Sequence, residues 1–270
     1  MKKIIFSDLD GTLLTDDKQI SPGNREAIRA MTEAGHSFVI ATGRPFESAL
    51  KISSELGLNG EGCYIVSYNG SHVYDCCRRR ALLDKRLSME TVRELFGFAW
   101  SAGLYVQTYQ NGEILTRART EELDFYERNT NLPGCPREDV LDYLTREPNK
   151  VIVIDLHDHE RLVRFKKEHE EWAKGKCRLI FSNARYLEVI AEGVSKQTGI
   201  EFLTDYLGVD QKDVIAAGDE ANDIEMIRAA GIGVAVHNAS PAVKEAADYV
   251  TRLSNNEDAI AEVVERFCKS

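Results

Sequence analysis

Short apolar runs that do not alternate with polar residues constrain the fold of this 270-residue chain more than any other feature. A strand without alternation is buried on both faces, as in a parallel sheet that helices cover on each side. Amphipathic segments separate the runs, so the sequence predicts an α/β fold with a doubly wound parallel sheet. The runs are residues 4–6, 38–41, 64–67, 214–217 and 234–236, with 249–251 as a weaker candidate for an edge strand.

The middle of the chain has a different pattern. Two strand-like segments, residues 105–109 and 113–116, flank Asn111 and Gly112, a dipeptide favoured in tight hairpin turns. This mixture predicts an α+β domain at residues 84–186, inserted as a cap into a core made of residues 1–83 and 187–270. The remaining predicted elements are helices at 88–102, 121–128, 137–145 and 159–173, and strands at 151–156 and 179–181.

The composition excludes several classes of protein. With 34 Lys and Arg against 44 Asp and Glu, the formal net charge is −10, which disfavours binding to nucleic acid polymers. No apolar stretch approaches the roughly 18 residues of a membrane span, and the first apolar run is too short for a secretion signal. The six cysteines form no CxxC pair. We expect a cytoplasmic protein without a membrane partner, as a monomer or weak homo-oligomer.

Polar residues and glycines follow four of the predicted strands. In doubly wound sheets, ligands bind at the carboxyl edge, where such loops meet. We therefore expect these four loops to converge on one site. They contain Asp8, Asp10, Gly11 and Thr12 after the first strand; Thr42, Gly43 and Arg44 after the second; Asn69 and Gly70 after the third; and Gly218, Asp219, Asn222 and Asp223 after the strand at 214–217.

The carboxylates of the first loop favour a metal site. Asp8 and Asp10 are two residues apart, so an extended backbone places both side chains on one side. Two neighbouring carboxylates repel each other, and neither is buried cheaply without a partner. A hard cation resolves this conflict, and Asp219 can complete its oxygen ligands. Mg²⁺ is the expected ion, because it takes few carboxylates and keeps room for a substrate phosphate.

A second group of residues suits a phosphate. Lys196 opens a predicted helix, whose free N–H groups form an anion site. The Thr42 hydroxyl and the Gly43 N–H suit the same phosphate. The sequence contains neither GxxxxGK[ST] nor GxGxxG, which disfavours a P-loop NTPase or a Rossmann dehydrogenase.

Taken together, the motifs resemble those of the haloacid dehalogenase superfamily, whose hydrolases form an aspartyl phosphate. Residues 8–12 resemble the first motif of that family, Thr42 the second, Lys196 the third, and residues 218–223 the fourth. The motif order, and an insertion between the second and third motifs, are similar to Cof-like sugar phosphatases with a type IIB α/β cap. Ala221 departs from the pattern, since many relatives carry a polar residue there.

The resemblance implies a role for each matching residue. Asp8 would be the nucleophile, and Asp10 the general acid and then the general base. Mg²⁺ would be held by Asp8, the backbone carbonyl of Asp10, and Asp219. The phosphoryl oxygens would be held by Thr42, Gly43, Lys196 and Asn222, with Asp223 as support, and Arg44 and Asn69 are candidate substrate contacts.

These inferences predict a Mg²⁺-dependent phosphatase of small phosphorylated metabolites, above all sugar phosphates. Three alternatives stay open at this stage: a phosphomutase, a sugar-specific phosphatase of the sucrose- or trehalose-phosphate type, and a catalytically idle phosphosugar-binding protein on the same fold. All four motifs are intact, which favours an enzyme over the idle protein.

Overall fold

The computed structural model describes residues 2–268 and divides into two compact units. The first unit takes the chain up to Gly43, then Ala49–Leu83, and then the chain from Ser195 onward. The second unit takes Arg44–Ser48 and Asp84–Val194. The second unit is therefore inserted in sequence into the first.

Strands and helices are numbered along the chain. The strands are β1 (Ile4–Ser7), β2 (Ser37–Ala41), β3 (Cys63–Ser67), β4 (His72–Asp75), β5 (Arg80–Asp84), β6 (Tyr105–Gln110), β7 (Glu113–Thr116), β8 (Gly134–Pro136), β9 (Lys150–Ile154), β10 (Cys177–Asn183), β11 (Tyr186–Ala191), β12 (Val214–Gly218), β13 (Ile232–Ala235) and β14 (Tyr249–Val250). The helices are α1 (Pro22–Glu33), α2 (Phe46–Glu55), α3 (Met89–Ser101), α4 (Glu121–Thr130), α5 (Val140–Tyr143), α6 (His159–Ala173), α7 (Lys196–Leu207), α8 (Ile224–Ala229), α9 (Pro241–Ala246) and α10 (Ala259–Cys268).

An eight-stranded sheet forms the centre of the first unit, in the order β14-β13-β12-β1-β2-β3-β4-β5. The six strands from β14 to β3 are parallel, whereas β4 pairs antiparallel with β3. The chain runs outward from β1 in one direction through β2 and β3, and in the other through β12 and β13. This reversal at β1 is the topological switch point where such sheets bind ligands, and the predicted doubly wound fold is confirmed.

Local sequence explains where the flanking helices begin. Ser21 precedes α1, and its Oγ accepts a hydrogen bond from the Asn24 N–H at 3.4 Å, while Pro22 supplies a backbone angle suited to the first turn. Every residue of β1, β2, β3 and β12 is buried, as the lack of alternation indicated. Their side chains form a core with α7 and α8.

The second unit has its own six-stranded sheet, in the order β10-β11-β9-β6-β7-β8. Its pairs are antiparallel except β7 with β8, which are parallel. One face of this sheet joins α3 and α6 in a core that contains Val106, Val151, Val189, Phe96 and Phe165. An α+β insert is thereby confirmed. The strand β11 belongs to this sheet, so the unit extends to Val194.

Among residues 2–268, no helix combines the length and the apolar composition that crossing a membrane requires.

Candidate active site

Two aspartates lie side by side because the strands before them are paired. In the parallel pair β1 and β12, Ser7 lies opposite Ala217, and the Asp8 N–H donates to the Ala217 carbonyl at 3.0 Å. Asp8 follows β1 directly, and Asp219 follows β12 directly. The register of one strand pair therefore brings both carboxyl groups to the carboxyl edge of the sheet.

Lys196 joins this pair from the start of α7. The helix begins with reciprocal hydrogen bonds: Ser195 Oγ accepts from the Thr198 N–H at 3.3 Å, and Thr198 Oγ1 accepts from the Ser195 N–H at 3.0 Å. The Lys196 side chain is 1% exposed. Its Nζ donates to Asp8 Oδ1 at 2.5 Å and to Asp223 Oδ1 at 2.6 Å.

Asp223 orders the loop that carries Asp219. It ends a 3-10 turn, Ala221–Asp223, and its Oδ2 accepts from the N–H groups of Asp219 at 3.0 Å and Glu220 at 3.1 Å. Gly218 is required beside it, because a Cβ at that position would lie 2.5 Å from the Asp223 side chain. The Asp223 carboxylate thus binds the loop backbone through Oδ2 and binds Lys196 through Oδ1.

The cluster fits a divalent cation. Asp8, Asp219 and Asp223 are buried, and each offers a carboxylate oxygen within 4.8 Å of the others. Burial raises the pKa of Asp8 to about 7 against the opposing charge of Lys196. Burial, reinforced by Asp8 and Asp223, raises the pKa of Asp219 to about 8. When all three carboxylates are ionised, Lys196 neutralises one of their three negative charges and two remain. Carboxylate oxygens are the ligands that a hard divalent ion prefers.

Thr12 and Gly11, both in the loop after β1, lie against the Asp219 carboxylate. The buried Thr12 Oγ1 donates to Asp219 Oδ1 at 2.6 Å. Gly11 has φ +77°, and a Cβ there would lie 2.3 Å from Asp219 Oδ2. The sequence motif contains both residues, but their contact with Asp219 could not be derived from it.

Asp10 is more accessible than Asp8, and its Oδ1 accepts from Lys18 Nζ at 2.7 Å. Its side chain is 40% exposed. Lys18 is not among the residues predicted from the sequence, because an isolated lysine in a loop eight residues from Asp10 gives no pattern that separates it from a solvated one.

The other predicted phosphate residues of the first unit come together with Asn69, a predicted substrate contact. Asn69, buried with φ +55°, donates its N–H to the Thr42 carbonyl at 3.0 Å. Asn222 Nδ2 donates to Asn69 Oδ1 at 3.3 Å, and a Cβ on Gly43 would lie 3.0 Å from the same oxygen. Thr42, Gly43, Asn69 and Asn222 therefore form one polar group of loops after β2, β3 and β12.

Arg44, the remaining candidate, belongs to the second unit. Its guanidinium donates to Ser48 Oγ at 3.4 Å, within the same short segment. Its role as a substrate contact stays a prediction.

Comparisons with known proteins agree with this arrangement. A family model of haloacid dehalogenase-like hydrolases matches residues 5–264. The 5-amino-6-(5-phospho-D-ribitylamino)uracil phosphatase YitU of Bacillus subtilis is 31% identical, over 98% of this chain and 97% of its own. The structure of a haloacid dehalogenase-like hydrolase from Bacteroides thetaiotaomicron has a TM-score of 0.92 at 33% identity, over 98% of this chain and 99% of that one. That of the subclass IIB sugar phosphatase BT4131 has a TM-score of 0.81 at 25% identity, over 99% of both chains.

The chain belongs to the haloacid dehalogenase-like hydrolase family, in its Cof-like subclass IIB. It is an enzyme of the phosphatase type, acting on small phosphorylated metabolites.

Proposed function

We propose that this protein is a Mg²⁺-dependent phosphatase that hydrolyses sugar or polyol phosphates through an aspartyl phosphate on Asp8. The observation that carries the proposal is the buried cluster of Asp8, Asp219, Asp223 and Lys196 at the switch point of the sheet. A purely structural role is a poor explanation for three buried carboxylates around one lysine, because burying uncompensated charge is costly.

Asp8 is the proposed nucleophile. Its carboxylate oxygen attacks phosphorus, the P–O bond to the sugar oxygen breaks, and an acyl phosphate forms on Asp8. Asp10, the more exposed carboxyl group, gives its proton to the departing oxygen. Asp10 then takes a proton from a water molecule whose oxygen attacks the same phosphorus, which releases inorganic phosphate and restores Asp8.

The residues around Asp8 neutralise charge and position the phosphoryl group. Lys196 neutralises part of the negative charge near Asp8. In this proposal Thr42, Gly43 and Asn222 hold the phosphoryl oxygens, which the contact of Asn222 with Asn69 beside Gly43 supports. Asp8, the Asp10 carbonyl and Asp219 would hold Mg²⁺, which supplies charge neutralisation of the phosphoryl group when bound. Asp223 supports Lys196 and the Asp219 loop.

The relatives support a polyhydroxylated substrate. YitU is a phosphatase of a phospho-D-ribityl compound, and BT4131 is a sugar phosphatase. Both substrates are phosphate esters of chains that carry several hydroxyl groups. We propose that the second unit acts as a cap that selects among such leaving groups.

Phosphate release from a panel of sugar phosphates, polyol phosphates and nucleotides tests the proposal. We expect release with Mg²⁺, less than about 1% of it in excess EDTA, and a loss of at least about 1,000-fold in Asp8→Asn. Asp17→Asn, an exposed aspartate of the same N-terminal segment, is the matched control and should keep wild-type activity. Full activity of Asp8→Asn would refute the mechanism.

The same panel separates the alternatives. Phosphate retained on an isomer of the substrate would indicate a mutase. Tight binding of a sugar phosphate without turnover would indicate the idle binding protein.

A further inference from the structure

The segment that follows Asp10 is held by asparagines from the far end of the chain. Between Asp10 and Ile20 the backbone forms turns and isolated bridges, with no continuous strand or helix. The N–H groups of residues 12, 13 and 14 all donate to the Leu9 carbonyl. The carbonyls of Gly11 and Leu14 take side-chain donors from residues more than 220 positions away.

Asn238 and Asn255 supply those donors. Asn238 Nδ2 donates to the Gly11 carbonyl at 2.7 Å, and Asn255 Nδ2 donates to the Leu14 carbonyl at 3.0 Å. The two asparagines are linked, because the Asn255 N–H donates to Asn238 Oδ1 at 2.9 Å. Asn255 is buried, so its contacts are shielded from competing water. Asn238 uses the donor and the acceptor of its amide at the same time, and a carboxylate of the same shape has no donor.

The turn that carries Asn238 also contacts the backbone of Asp219. The Ser240 N–H donates to the Asp219 carbonyl at 3.0 Å, and the Val236 N–H donates to the Gly218 carbonyl at 3.2 Å. The turn after β13 therefore contacts both loops of the candidate metal site, the one after β1 and the one after β12. Its backbone fixes Asp219, and Asn238 fixes Gly11, which packs directly against the Asp219 carboxylate.

We infer that Asn238 is a positioning residue of this active site, and that Asn255 holds Asn238 in place. The hydrogen bond from Asn238 sets the position of the Gly11 peptide, and with it the distance between the Asp10 carbonyl and the Asp219 carboxylate. Neither asparagine touches the reacting groups. The inference rests on the proposed function for its catalytic consequence, but its consequence for metal binding is independent of the substrate.

Asn238→Asp is the informative variant. It keeps an oxygen for the Asn255 N–H, but it removes the donor and places a second oxygen against the Gly11 carbonyl. The added negative charge alone would strengthen cation binding. We nevertheless expect the dissociation constant for Mn²⁺, used as the probe ion and measured by electron paramagnetic resonance, to rise about tenfold. A weaker affinity for Mn²⁺ would therefore be caused by the displaced Gly11 peptide, since the added negative charge of the variant acts in the opposite direction.

Asn256→Asp is the matched control. Asn256 is the neighbour of Asn255, and its amide exchanges two hydrogen bonds with Asp16, at 3.0 Å each way. Asp16 also accepts from Asn255 Nδ2 at 3.1 Å. The same change of amide to carboxylate there should leave Mn²⁺ affinity within about twofold of wild type or make it tighter. In turnover assays, Asn238→Asp should lower kcat about tenfold while the KM for substrate stays within about threefold.

Unchanged or tighter Mn²⁺ binding by Asn238→Asp would overturn the inference, and so would a lower melting temperature with unchanged metal affinity and kcat. If Asn238→Asp does not fold, Asn238→Ser, which keeps a shorter donor and acceptor, is expected to give a smaller loss of affinity in the same direction. If the wild type releases no phosphate from any substrate, the proposed function fails, while the Mn²⁺ measurements still decide the role of Asn238.

Discussion

At the scale of single residues, Gly11 shows how closely the first loop is fitted to the site. Its φ of +77° is one that other residues adopt only with strain, and a Cβ would lie 2.3 Å from Asp219 Oδ2. We predict that Gly11→Ala lowers phosphatase activity at least about 100-fold, because Asp219 must move away from its place beside Asp8. The measurement is kcat/KM under saturating Mg²⁺, together with the melting temperature.

Gly35→Ala controls for backbone strain. Gly35 has φ +87°, but a Cβ there would meet nothing within 4 Å. Both variants carry a strain of about 1–3 kcal/mol, whereas only Gly11→Ala disturbs Asp219. Equal losses of activity in the two variants would show that strain, and not the contact, is responsible.

The candidate site could be predicted from sequence only where its residues occur in local motifs. Asp8, Asp219 and Lys196 follow recognisable strands or begin a helix, so their convergence follows from the topology of a parallel sheet. Lys18 and Asn238 lie in irregular loops, and nothing in their neighbours indicates that they reach Asp10 and Gly11. Contacts of this kind depend on the three-dimensional course of loops, which periodicity does not encode.

At the scale of elements, the second sheet contains a buried ion pair between neighbouring strands. Lys150 on β9 donates to Glu188 Oε2 on β11 at 3.0 Å, and their side chains are 1% and 5% exposed. Burial lowers the pKa of Lys150, and Glu188 opposes that shift. Ser182 Oγ also donates to Glu188, at 2.7 Å.

We predict that Glu188→Gln lowers the free energy of unfolding of the second unit by about 3 kcal/mol, because the Lys150 charge loses the carboxylate that faces it. Urea denaturation is the measurement. Glu171→Gln is the control: its pair with Lys174 is more than two-thirds exposed, so the change should stay below about 0.5 kcal/mol. A loss in Glu188→Gln as small as in the control would contradict the prediction.

Glu262 on α10 gives the first unit a pH-dependent contribution. Burial raises its pKa, but hydrogen bonds from the Tyr249 hydroxyl and from the N–H groups of Arg252 and Leu253 outweigh burial and lower it below the usual 4.5. The ionised form is therefore favoured in the folded state. Its stabilisation is present above pH 4.5 and is lost as pH falls through the lower folded pKa.

We predict that Glu262→Gln lowers the free energy of unfolding by about 1–2 kcal/mol at pH 7, and that this difference from wild type shrinks below pH 4.5. Urea denaturation at pH 7, 4.5 and 3 measures it. Glu245→Gln, an exposed glutamate on α9, should show no difference at any of these pH values. A difference for Glu262→Gln that stays constant with pH would contradict the assignment.

Element prediction succeeded where periodicity was strong and failed where pairing decided the structure. The helix predicted at 159–173 is α6, and the buried runs are the parallel strands of the first sheet. The helix predicted at 137–145 was wrong in extent: α5 covers only Val140–Tyr143. The Arg137 N–H donates to the Thr116 carbonyl, which prolongs the pairing of β7 with β8 and delays the helix. The short strands β4, β5 and β8 are stabilised by pairing with neighbouring strands, and their sequences lack a distinctive pattern of apolar residues.

At the scale of the whole molecule, net charge and local charge have different consequences. The chain carries −10 overall, but its candidate site buries three carboxylates around Lys196 and is suited to a divalent cation. The same cluster ties ion binding to the folding of the first unit only, because all of its ligands lie there. Each unit has a separate apolar core.

We therefore predict that Mg²⁺ raises the melting temperature of the first unit and not that of the second. At a concentration about 100 times its dissociation constant, the ion should add about 2.7 kcal/mol, or roughly 5–10 °C. Differential scanning calorimetry, with and without EDTA, would resolve the shift, and NaCl at the same ionic strength controls for screening. Asp219→Asn should lose most of the shift. Equal shifts in both units, or none in the wild type, would show that the ion does not bind at these carboxylates.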